Sequence, residues 1–238
     1  GLVAGAVNTV VGSGSLLTFP VLLSLGFSPL VANVSNTVGL VPGAASGAVG
    51  YRRELAGQRS RAARLGTWAA AGGLGGSVLL LVYPTSFQVV VPYLVLVAVA
   101  LVVAQPWLGR HLPAGGGPAG TGGWWLRLGI GLTGVYGGYF GAAQGVLLIG
   151  LLALGLSDDL QRLNGLKNVL ALAINGVAAA LFLVAAPVAW LPALTIAGSS
   201  VVGGQVGAQL GRRIPDPLLR AVIVAAGTGV AVKLLAFG

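Results

Sequence analysis

The sequence predicts an all-α integral membrane protein of two inverted-topology repeats. Each repeat is a broken or re-entrant helix pair followed by three transmembrane helices. Three observations predict it. The 238 residues are 56% hydrophobic and 7% charged, whereas a soluble domain carries about 25% charged residues, so lipid must be the main solvent. A glycine-rich break interrupts a hydrophobic segment twice, about half the chain apart: Gly12-Ser13-Gly14-Ser15 and Gly141-Ala142-Ala143-Gln144-Gly145. Loops at matching places in the two halves carry unlike charge.

Apolar runs of about 20 residues, the length a bilayer demands, fall at residues 30–50, 65–82, 87–105, 160–186, 189–210 and 217–237. Two further runs, 1–26 and 124–155, contain the breaks. The pieces 1–11 and 16–25 are each about half a bilayer long at about 1.5 Å per residue. Re-entrant hairpins with tips near the midplane are therefore expected, two thin crossings being the alternative. Residues 106–123 include HLPAGGGPAGTGG and read as a flexible cytoplasmic linker. They divide a first transmembrane repeat, 1–105, from a second, inverted one, 124–238. Trp107, Trp124 and Trp125 flank this linker as interfacial belt residues. The chain opens mid-helix at Gly1 with no Met, so a trimmed start is expected.

An offset of 129 places Gly5 on Gly134, Gly12 on Gly141, Gly26 on Gly155 and Ser28 on Ser157. The shared order of break, Leu-rich half, Gly-x-Ser turn and polar-flecked helix reads as an internal duplication. After Gly50 come Arg52, Arg53, Arg59, Arg61 and Arg64, which place that loop in the cytoplasm. Its counterpart, 185–192, is uncharged, while the uncharged 83–87 has a counterpart holding Arg212 and Arg213. Matching loops thus lie on opposite sides, and a multi-pass protein of the cell inner (plasma) membrane is expected.

A net charge of +9 suggests nucleic acid in a soluble protein. Here the arginines sit in short loops between apolar runs, so no nucleic-acid partner is expected. There is no Cys, one His (His111, in the linker) and four acids. That excludes thiolate chemistry and leaves no metal site, no cofactor and no catalytic residue to name. An intramembrane Ser/Lys hydrolase using Ser13 or Ser15 with Lys167 is the enzyme alternative.

Each break is followed by a fresh half-helix whose N-terminus presents unpaired N–H groups and about half a positive charge. Two such ends brought together would hold an anion without a charged side chain. Close helix packing is the plainer use for such glycines. The candidate substrate-binding residues are Gly12, Ser13, Gly14 and Ser15 from the first break. From the second they are Gly141, Ala142, Gln144 and Gly145. Polar residues of the next helices join them: Asn36 and Thr37, beside Asn33 and Ser35, and Asn164, Lys167 and Asn168, with Asn175 on the same face. Lys167 lies about 10 Å inside its span and defaults to a functional reading; snorkelling toward Asp158 or Asp159 is the alternative. Gln144 of the second break is expected to sit opposite this cation. Gly203, Gly207 and Gly211 form a small-xxx-small packing face, and Pro42-Gly43 is expected to kink its helix.

The first break, the apolar run to Pro20 and LLSLGFSPLVANVSNT resemble the signature of the TauE/SafE sulfite-exporter family. The closing VVGGQVGAQLGRRIPDPLLRAVIV resembles the end of that family's chains, so the likeness spans nearly the whole sequence. GSGS stands where the family's triple glycine is usual, and GAAQG departs further. The resemblance implies a membrane transporter exporting sulfite or an organosulfonate such as sulfoacetate, its partners being a small anion and the lipid bilayer. Potential-driven efflux by alternating access is the expected mechanism; a passive channel or a carrier for another small anion is the alternative. The oligomeric state stays open, a homodimer included.

Overall fold

The computed structural model describes residues 1–111 and 123–210, with 221, 224, 225, 227–229, 231, 232 and 234. The linker interior 112–122, Gly211, Arg212, Arg213 and most of the run 217–237 lie outside the described residues. The described residues include nine bounded α-helices and no strand, and those described from 221 to 234 are helical as well. The nine are α1 (Leu2–Val10), α2 (Ser15–Ser24), α3 (Pro29–Gly50), α4 (Arg59–Val82), α5 (Pro84–His111), α6 (Trp124–Tyr139), α7 (Gln144–Gly155), α8 (Leu160–Ala185) and α9 (Trp190–Leu210). Both breaks fall where expected, between α1 and α2 and between α6 and α7. α5 continues to His111, past the expected start of the linker.

Local chemistry sets the helix starts. Ser28 caps α3 by accepting from the Val31 amide at 3.5 Å, with Pro29 in the first turn, where a missing N–H costs nothing. Asp159 caps α8 by accepting from the Gln161 and Arg162 amides, both at 3.0 Å. The cap sits two residues later in the second half than the offset of 129 implies. From there the register becomes 131, placing Asn164 on Asn33, Lys167 on Asn36 and Asn168 on Thr37.

Three helices among the described residues are long and apolar enough to cross a membrane: α4, α5 as far as Gln105, and α8. α3 and α9 are comparably long but carry amides, hydroxyls and glycines. In α3 these are turned inward, Asn33, Ser35, Asn36 and Thr37 all being buried. Large apolar side chains such as Val184 (88% exposed) and Leu191 (81%) cover the outside. That surface suits lipid and would be an aggregation hazard in water.

Small residues bring the helices close. A Cβ at Gly203 would stand 2.1 Å from the Leu2 carbonyl, and one at Gly207 2.7 Å from that of Ala6, so α9 lies backbone to backbone on α1. The packing face expected at Gly203 and Gly207 is therefore present. α4 meets α6 in the same way: a Cβ at Gly72 would stand 2.0 Å from Gly131 O, and one at Gly76 2.0 Å from Val135 O.

Polar contacts mark the two ends of the bundle. At one, the Gln58 amide donates to Arg162 O at 3.2 Å, Asn164 Nδ2 donates to the Tyr51 hydroxyl at 2.8 Å, and Arg61 pairs with Asp158. The end of α3 and the start of α8 therefore lie together. At the other, the Ala189 amide donates to Ser35 Oγ at 2.8 Å, so the end of α8 lies beside the first turns of α3. The two helices run in opposite directions.

Candidate functional site

Both breaks are built alike. At the end of α1, the amides of Val11 and Gly12 both donate to Val7 O, at 2.8 and 3.1 Å. At the end of α6, those of Phe140 and Gly141 both donate to Tyr136 O, at 2.9 and 3.1 Å. Gly12 (φ +83°) and Gly141 (φ +74°) take the left-handed conformation that closes a helix and suits glycine. In the second break Ala143 is also left-handed, at φ 57°, the one non-glycine residue so strained among those described.

The breaks touch. The Gly145 amide donates to Gly12 O at 3.2 Å, and a Cβ on Gly12 would stand 2.3 Å from the Gly145 Cα. α2 then begins at Ser15 and α7 at Gln144, as the half-helix reading expects. The N–H groups of Ser13, Gly14, Ala142 and Ala143 make no hydrogen bond among the described residues. All four residues are buried, and Ser13 Oγ is likewise unpartnered. Buried unpaired N–H groups are rare, and here they recur at matching places in both halves.

Side chains of α3 and α8 line the breaks, each helix serving both halves. Lys167, 1% exposed, donates through Nζ to Thr9 O at 2.9 Å and Val10 O at 3.3 Å. Asn168 Nδ2 donates to the same Thr9 carbonyl at 3.1 Å. The ammonium thus sits on the negative end of α1. Lys167 does not snorkel, and it faces the first break, not the Gln144 side expected for it. The reason is tertiary: the Thr9 and Val10 carbonyls at the end of α1 come within reach of the Lys167 and Asn168 side chains of α8. Asn33 of α3 in turn donates to Tyr139 O, at the end of α6, at 3.0 Å. Asn36 reaches its own half, donating to Ser15 Oγ at 3.0 Å and accepting from Thr18 Oγ1.

The remaining predicted residues divide. Gln144 donates to Asn175 Oδ1 at 3.0 Å, and Ala142 O accepts from the Tyr136 hydroxyl at 2.5 Å. Thr37 is spent on its own helix, donating to Asn33 O at 2.9 Å, and Asn164 belongs with Tyr51 at the bundle end. Neither Ser13 nor Ser15 hydrogen-bonds Lys167, so a Ser-Lys pair is not formed. Thr9 and Thr18 line the breaks without having been singled out; a hydroxyl within four residues of a break in an apolar run is the only signal they give.

The acids among the described residues, Glu54, Asp158 and Asp159, lie at the bundle end, and none pairs with Lys167. Asp158 is partly buried, which alone would raise its pKa. The hydrogen bonds and charges of Arg61, and then of Arg162, outweigh this and hold it below the ordinary carboxylate value of 3.8. Its stabilising contribution is therefore present above that value and is lost as pH falls through the depressed pKa. Asp158→Asn is expected to cost about 1 kcal/mol or less at pH 7, because the pair is part-exposed. The deficit should vanish in acid, as read from thermal unfolding of both proteins across pH.

The sequence matches the family model described as "Sulfite exporter TauE/SafE" over residues 1–234. The chain belongs to the TauE/SafE family. This TauE/SafE protein is a membrane transporter, and its relatives carry matching names. It is 24% identical over 233 residues to a probable membrane transporter protein of Haemophilus influenzae, covering 94% of this chain and 87% of the relative. It is 25% identical over 246 residues to the probable membrane transporter protein YfcA of Escherichia coli strain K12, covering 98% and 86%. No solved structure matches the chain.

Proposed function

We propose that this TauE/SafE transporter exports a small sulfur oxyanion across the cell inner membrane: sulfite, or an organosulfonate such as sulfoacetate. The anion binds near the midplane, where the breaks of two inverted repeats, 1–105 and 124–238, come together. One observation carries the reading. The N–H groups of Ser13, Gly14, Ala142 and Ala143 are buried, unpaired and set at the starts of two half-helices, where anions are favoured. Lys167 adds positive charge that no carboxylate among the described residues cancels.

Support for inversion comes from the opposed directions of α3 and α8 and from the breaks having the same hydrogen-bond pattern. α1 runs alongside α9, and α6 alongside α4. α2 and α7 then lead back to opposite ends of the bundle, as two re-entrant hairpins meeting at their tips would. The contact between Gly12 and Gly145 favours an alternating-access carrier over an open pore, since it closes the route between the breaks. Export of one negative charge from a negative-inside cell gains about 2.3 kcal/mol per 100 mV, so no coupling ion is required.

The test uses purified protein in liposomes, with sulfite, sulfoacetate, sulfate, thiosulfate and phosphate compared first for binding and then for flux. Sulfite or sulfoacetate should bind best, and an inside-negative potential should speed efflux of the monoanion. Equal flux at all potentials, or no binding of either compound, sinks the proposal.

A further inference from the structure

The two breaks share a backbone pattern but neutralise their helix ends differently. At the end of α1 the carbonyls of Thr9 and Val10 receive the Lys167 ammonium. At the matching end of α6 no side-chain cation is bonded among the described residues; Tyr139 O takes only the neutral amide of Asn33. The residue that corresponds to Lys167 in the first half is Asn36, and it is engaged with Ser15 and Thr18. The negative end of one half-helix thus has a built-in cation and that of the other has none.

Oxygens gather at that second end. Gly137 O, Asn175 Oδ1 and Gln144 Oε1 stand 2.8, 3.7 and 3.7 Å from the point where a Cβ of Gly141 would be. Gln144 is 2% exposed, and its Oε1 is buried without a hydrogen bond. The Gly141 amide passes over Gly137 O to bond Tyr136 O, so Gly137 O lacks its usual donor four residues on. Glycine at 141 keeps the space among the three oxygens free of a side chain. These ligands are all oxygen and all neutral: Gly137 O from the last turn of α6, Gln144 Oε1 from the first residue of α7, and Asn175 Oδ1 from within α8, which also accepts from Gln144 Nε2 at 3.0 Å.

Hard cations take oxygen ligands, and divalent ones lean on carboxylates. No group of three or more His, Cys, Asp or Glu side chains is present among the described residues. A monovalent ion fits neutral carbonyls, and the C-terminal ends of interrupted helices suit it electrostatically. We propose that the second break binds a monovalent alkali cation through Gly137 O, Asn175 Oδ1 and Gln144 Oε1, sodium being the probe. The site does not depend on which anion is carried.

The test is thermal unfolding of the purified protein in sodium, potassium or N-methylglucamine chloride at equal ionic strength. Sodium or potassium should raise the midpoint saturably above the N-methylglucamine value. Asn175→Ala should weaken the half-saturating concentration on the order of tenfold or more. Asn175→Asp, which adds a negative ligand, should tighten it by a similar factor and serves where the alanine variant does not fold. Sulfite binding, measured in N-methylglucamine alone, reads the anion site separately. Equal midpoints in all three salts mean that water satisfies these oxygens and overturn the proposal, as does an Asn175→Asp variant with the parent's cation response.

Discussion

Gly145→Ala should lose transport by on the order of tenfold or more while the protein still inserts and folds. The added Cβ would stand 2.4 Å from the Gly12 Cα and 3.2 Å from Gly12 C and O, all backbone atoms with no side chain to swing aside. The two breaks must then separate, losing the hydrogen bond from the Gly145 amide to Gly12 O. Overpacking of this kind costs about 1–3 kcal/mol, and each 1.4 kcal/mol lost at the breaks is about tenfold in an equilibrium. Gly145 does not have a positive φ, so the effect reports space and not backbone conformation. Gly75→Ala is the control: that Cβ would meet nothing within 4 Å, and alanine favours a helix by about 0.8–1 kcal/mol over glycine. Thermal unfolding and liposome flux of both variants decide the matter. Parent-like flux in Gly145→Ala would show that the contact between the breaks is not needed in the cycle.

Much of this arrangement was legible because lipid removes alternatives. In a bilayer an interrupted helix must hide its loose backbone groups, so GSGS and GAAQG could be located from glycine and apolar run length alone. The buried amide stripe was legible for the same reason. Other features depend on which helices become neighbours. Lys167 is buried in the protein, and its partners, Thr9 O and Val10 O, belong to the other half of the chain. Periodicity within α8 carries no trace of them. Asn164 shares Lys167's helical face yet sits one turn nearer the bundle end, where Tyr51 takes it. The glycines that join α4 to α6 carry no mark of their neighbours, because glycine in an apolar run signals close packing without naming the partner.

Lys167→Met should leave the fold within about 2 kcal/mol of the parent yet weaken anion binding by on the order of a hundredfold. Two opposing effects set the first figure. Methionine gives up hydrogen bonds from a charged donor, worth about 1.5–3 kcal/mol, but it also removes the cost of burying an ammonium with no carboxylate partner among the described residues. Thr9 O keeps the Asn168 amide in either case. The second figure has no such offset. An anion held by the unpaired amides of Ser13 and Gly14 lies near the α1 carbonyls that Lys167 covers. Without the ammonium, the negative end of α1 faces that anion uncompensated. A hundredfold loss corresponds to about 2.7 kcal/mol, modest for a charge buried away from screening salt. A purely structural lysine gives the opposite pattern, a large stability loss with affinity unchanged in the protein that folds. Measuring the unfolding midpoint and the sulfite dissociation constant on the same preparation separates the two. Lys167→Arg sharpens the contrast, because it keeps the charge while its planar fork does not match the ammonium's paired contacts. It should bind anions better than Lys167→Met and transport them more slowly than the parent.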